Sequence, residues 1–100
     1  MNKIIAILTK KGLLSNGIQE DADLNIFKLE ENKVVGYEKV KIENKEQSYF
    51  FTLLRSKKIS LLYMDTLAND LKNLIEKFGI TIRFKDECED DKFLNAFIFS

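Results

Sequence analysis

The chemistry open to this chain is narrowed first by what its side chains lack. There is no histidine and a single cysteine, Cys88. Acid–base work near neutral pH would fall to tuned carboxylates or lysines, and no pair of them stands out. Cys88 lies in the acidic stretch Asp86–Asp91. Neighbouring carboxylates raise a thiol pKa, so a nucleophile is not expected there. The remaining readings are one soft ligand to an iron–sulfur species and, more economically, an incidental cysteine in a solvated loop. The same carboxylates lack the glycine and the alternation of a calcium loop and read as a helix-capping turn. No Ser/His/Asp or Cys/His set, phosphate loop, paired-cysteine motif or dinucleotide fingerprint occurs.

What remains is a set of polar groups flanking apolar runs. Thr9, Lys10 and Lys11 follow the run Ile4–Leu8, with Ser15 and Asn16 a few residues on. Met64 ends the run Ile59–Met64, and Asp65 and Thr66 follow it. If both runs are parallel strands, these residues meet beyond the strands' carboxyl ends, where α/β sheets hold ligands. Thr9, Lys10, Asn16, Met64, Asp65 and Thr66 are therefore the candidate ligand-binding set, with a small anion as one ligand and Met64 as a soft contact. The plainer reading keeps both lysines solvated, Thr66 as a helix cap, Met64 in the core and Asp65 opposed to any anion at the helix start. No catalytic residue and no metal site are assigned.

The elements that would position these groups are legible. Lys57–Phe84 reads as strand, capped helix, glycine stop and strand, the wiring of a right-handed parallel βαβ crossover. Its helical stripe is Leu67, Ala68, Leu71, Leu74, Ile75 and Phe78. Thr66 is the expected N-cap and Gly79 the C′ residue. Ile80, Ile82 and Phe84 alternate with Thr81 and Arg83, as in an edge strand. The continuous run Ile4–Leu8 predicts a strand covered on both faces. Thr9–Asp21 reads as a loop, and Leu24–Leu29 with Val34–Glu43 as an antiparallel hairpin about Glu30–Lys33. Asn44 with Gln47 resembles a capping box and favours a helix over Asn44–Ser56, although Tyr49-Phe50-Phe51 would also suit a strand. That cluster is divided between core and partner surface. Asp90 or Asp91 starts a last short helix with Phe93, Leu94, Phe97 and Ile98.

One hundred residues, 45% hydrophobic, make one α/β domain over residues 1–100. The expected architecture is a mixed five-stranded sheet with an antiparallel hairpin and a parallel βαβ crossover, helices packed on it, and the first strand central beside the fourth. Sixteen basic and sixteen acidic side chains cancel, so no global field points to nucleic acid or an anionic membrane. The apolar run near the N-terminus is too short for a signal core or a membrane span. A cytoplasmic location is the expectation.

The opening strand KIIAILT, Ala22-Asp23 leading into LNIFKLE, the following KVVGYEKV, the segment ISLLYMDTLANDLKNLIEKFGITI and the closing KFLNAF together carry a resemblance. In order and pattern, over nearly the whole chain, they are similar to the dinitrogenase iron–molybdenum cofactor biosynthesis family. That resemblance implies a ribonuclease H-like motif and a nitrogenase-accessory role. It implies metallocluster or precursor carriage rather than catalysis. The chain departs from the pattern at Gly17–Asp21, which lacks the family's imidazole, and at Met64–Leu67, which lacks its glycines. It resembles a divergent member. From the sequence, a non-enzymatic ligand or metallocluster carrier stands beside a protein-interaction module that forms a homodimer or docks without a ligand. The cofactor stays unknown.

Overall fold

The computed structural model describes residues 2–85. Cys88, the acidic stretch and the last expected helix lie outside them.

The strands are β1 (Asn2–Lys10), β2 (Leu13–Leu14), β3 (Asp23–Glu30), β4 (Lys33–Lys41), β5 (Leu61–Met64) and β6 (Thr81–Phe84), with helices α1 (Gln47–Ser56) and α2 (Asn69–Lys77). They form one mixed sheet in the order β4-β3-β1-β5-β6, with β2 paired to the end of β1. The β1–β3 and β3–β4 pairs are antiparallel, and β1–β5 and β5–β6 parallel. The α/β class, the hairpin, the crossover and the central β1 beside β5 agree with the sequence. β2 is a sixth strand inside the segment expected to be loop.

β1 is central because it has no polar face to offer solvent. Ala6 and Leu8 point into the larger core with Leu24, Ile26, Leu62, Met64 and Ile82, and there they meet Phe50 and Leu54 of α1 and Leu71 and Ile75 of α2. Ile5 and Ile7 point the other way, into a smaller cluster with Leu61 and Tyr63. Fully burying each Leu, Ile, Met or Phe of these clusters stabilises by roughly 1.5–3 kcal/mol. Among the described residues no helix is long and apolar enough to cross a membrane.

Three local expectations are corrected. α2 begins at Asn69 with Ala68 as N-cap and no side-chain cap bond, because Thr66 is held elsewhere. Its buried stripe narrows to Leu71 and Ile75. Leu74 and Phe78 stay about half exposed. α1 starts at Gln47, and the Asn44 carboxamide accepts the Glu46 N–H just ahead of it (2.8 Å) rather than capping the helix.

The turns set the registers. Glu31 and Asn32 both take positive φ (51° and 67°) between Glu30 and Lys33, the two-residue mirror-image turn whose twist matches a hairpin. Gly79 stops α2 at φ 85°, its N–H donating to Glu76 O at 3.0 Å.

Candidate functional site

β1 and β5 run parallel, and both end at the edge where the sequence places its candidate residues. The six do not line an open crevice there. Residues 13–17 turn back after β1 and enter the space between the two strand ends. Ser15 N–H donates to Leu8 O (2.8 Å), and Ser15 O accepts Asp65 N–H (2.9 Å). Gly17 N–H donates to Thr66 O (2.8 Å), and Asn16 forms a parallel bridge with Thr66. Segment 13–17 thus acts as an inserted strand that joins the two loops.

Side chains reinforce the insert. The Thr66 hydroxyl donates to Asn16 Oδ1. The fully buried Ser15 donates its hydroxyl to Gly17 O at 2.7 Å. Gln19 Nε2 donates to Ser15 Oγ (3.3 Å) and Asn16 O (3.2 Å). Lys10 Nζ donates to Glu20 O. Thr66 is therefore a strut between two loops, which is why it cannot cap α2.

The structure brings Asn16 and Thr66 together and sets Asp65 beside Ser15. It sends Met64 and Thr9 elsewhere. Met64 is fully buried in the larger core, so its thioether does not face the loops. Thr9 is 6% exposed, and its hydroxyl oxygen accepts from Asn25 Nδ2 at 3.0 Å. The donors left at the loop surface are an ammonium, an amide, a hydroxyl and one carboxylate. Cluster iron is held by thiolates, so these groups do not fit a cluster as they stand. Among the described residues no group of three metal-ligating side chains gathers.

A polar set that sequence reading missed sits on the sheet face opposite α1 and α2. Asn25, only 2% exposed in mid-strand, donates to Ile7 O (3.0 Å) as well as to Thr9. Its Oδ1 accepts the Tyr37 hydroxyl at 3.0 Å. Tyr37 packs its ring on Phe27, centroids 5.0 Å apart. The signal available in the sequence was an asparagine inside an apolar run, Leu24-Asn25-Ile26, which a buried strand tolerates only when its amide is bonded.

The aromatic cluster divides as its residues fall on α1. Phe50 is fully buried. Phe51 meets Phe78 edge-to-face at 4.9 Å, with the Arg55 guanidinium 4.9 Å above Phe78. It is therefore packed between the helices rather than presented as one open patch.

The open surface lies at β4. Among the described residues no strand pairs with its outer edge. Val34, Val35 and Tyr37 are each more than half exposed along it. A groove of about 270 Å³ runs beside the strand, with Ile4, Ile26 and Gly36 as floor and Lys28, Glu38 and Lys57 as walls.

No family model matches the chain, and no curated protein matches it. Among solved structures it is similar to the crystal structure of PH0822, at 11% identity and a TM-score of 0.63, over 81% of this chain and 77% of that one. That likeness is one of fold.

Proposed function

We propose that this chain is a non-enzymatic interaction domain that docks a partner through the outer edge of β4. One observation carries the reading: a nine-residue strand whose outer backbone groups meet no other described strand and whose Val34, Val35 and Tyr37 stand more than half exposed. Such an edge is a template for an added strand, with main-chain bonds for affinity and alternate side chains for specificity. The test is a photo-reactive phenylalanine in place of Tyr37, with the same group at exposed Asp70 as control, irradiated in the source cells. One discrete adduct from position 37 and none from position 70 is the expected result. No adduct, or the same ladder from both positions, would sink the reading.

The second reading is carriage, at the loops after β1 and β5, of a small anion or, with cluster ligands brought from outside these loops, of a metallocluster. Their switch-point position and the family resemblance favour it. In this form Lys10 and Asp65 meet the ligand, and the Asn16–Thr66 strut must part to admit it. Metal content and visible absorption of anaerobically purified protein, before and after exposure to a cluster donor, decide it. Stoichiometric iron with a charge-transfer band supports carriage, and protein that stays colourless removes the cluster version.

A further inference from the structure

On the docking reading above, we infer that the partner is an extended segment carrying acidic side chains at alternate positions, added as a strand to the Gly36–Lys41 arm of β4. The arm is chosen by geometry. β4 pairs regularly with β3 from Lys41 to Gly36, and the register then slips between Lys28 and Leu29, leaving Val35 as the extra residue of a bulge. A bulge bends a strand and interrupts its edge, so the regular arm is where a further ladder can form.

The chemistry is chosen by charge. Tyr37, Lys39 and Lys41 alternate, so they share one face of the sheet. Lys39 is exposed and makes no ion pair among the described residues. Lys41 reaches only the loose 3.9 Å pair with Asp23. On the opposite face Glu38, the one acidic residue of β4, is already held by Lys57 at 2.7 Å, and Lys28 stands at the groove beside them. Carboxylates directly across from Lys39 and Lys41, with an apolar side chain across from Tyr37, satisfy that face.

A second copy of the chain is disfavoured by the same residues. Two-fold symmetry about an axis normal to the sheet centres antiparallel pairing on one residue. Centring on Gly36 or Tyr37 carries the pairing across the bulge at Val35, where the ladder is interrupted. Centring on Glu38 or Lys39 sets each opposite itself, and on Val40 sets Lys39 opposite Lys41. Every centre from Glu38 to Val40 thus places like charges face to face, which is destabilising across strands. The lysines guard the edge against copies of itself and leave it open to an acidic strand.

The test titrates isotope-labelled full-length protein with three short synthetic peptides, alternating Thr with Glu, Ser or Lys, and follows backbone amide shifts. The Glu peptide is expected to move the amides of residues 36–41, and the Ser peptide to bind about tenfold more weakly. Lys39→Glu, at an exposed side chain outside the core, is expected to weaken the Glu peptide about fivefold, and added salt to weaken it further. Equal binding of the Ser and Glu peptides would overturn the acidic partner while leaving the β4 edge as the docking site. No shift in residues 36–41 with any peptide would overturn both. The same shifts appearing with protein concentration alone would make a second copy the occupant and overturn the inference.

Discussion

Replacing Asn25 by alanine tests the polar set that the fold assembles on the sheet face opposite α1 and α2. The substitution removes hydrogen bonds donated to Ile7 O and Thr9 Oγ1 at 3.0 Å, a longer one to Asp23 O at 3.3 Å that shares the same two amide hydrogens, and one accepted from Tyr37 at 3.0 Å. At about 1 kcal/mol net for each bond, the loss is about 2–3 kcal/mol before any cost of the void. Thr9 is 6% exposed and loses its amide donor with no water at hand, which places the value at the upper end. Tyr37→Phe removes the accepted bond alone. Because Asn25 is only 2% exposed, its Oδ1 is left short of a donor, and the expected cost is about 1–2 kcal/mol. Urea unfolding followed by circular dichroism reads both, and the double mutant closes a cycle whose coupling equals the Tyr37–Asn25 bond. For a domain of 100 residues, the alanine variant should melt about 10–20 °C lower. Asn25→Ala within about 0.5 kcal/mol of the parent would refute the reasoning. So would Tyr37→Phe costing as much as Asn25→Ala.

Three further outcomes are expected. Met64→Ala should cost about 2–5 kcal/mol and Met64→Leu less than about 1.5, since the side chain packs in the core; equal small effects in thermal melts would return it to the loop surface. Glu31→Asn with Asn32→Gly should raise the melting temperature by a few degrees, roughly 1 kcal/mol, because both positions already hold positive φ; a drop would show that the turn is not of the mirror-image type. Gly79→Ala should cost about 1–2 kcal/mol by strain alone, since φ is 85° and nothing lies within 4 Å of an added Cβ. Urea unfolding that finds it neutral would show that α2 can end without the left-handed residue.

Much of the fold was legible because its signals are local. The run Ile4–Leu8 has no polar face, so burial on both sides followed, and with it the central place of β1. The Leu71–Ile75 spacing and Gly79 marked the second helix and its stop. The misses share one cause, a partner distant in sequence. Thr66 looked like a cap from its own neighbours, but its hydroxyl and carbonyl are taken by Asn16 and Gly17, about fifty residues earlier. Once those groups were engaged, Thr66 could not act as the cap, and the helix begins at Asn69.

The candidate site divides along the same line. The sequence by itself determined which residue types stand at the strand ends and that histidine chemistry is closed to the chain. It also placed lysines along Val34–Glu43. Only the tertiary structure decided that residues 13–17 fill the switch point and that Met64 turns inward. It alone joined Asn25 to Thr9 and Tyr37, and left β4 outermost among the described strands with its lysines exposed. Periodicity tells each strand which of its faces to bury. It carries no information on which strand becomes a neighbour, and the neighbours determine which polar groups are spent inside the fold and which are left to meet a partner.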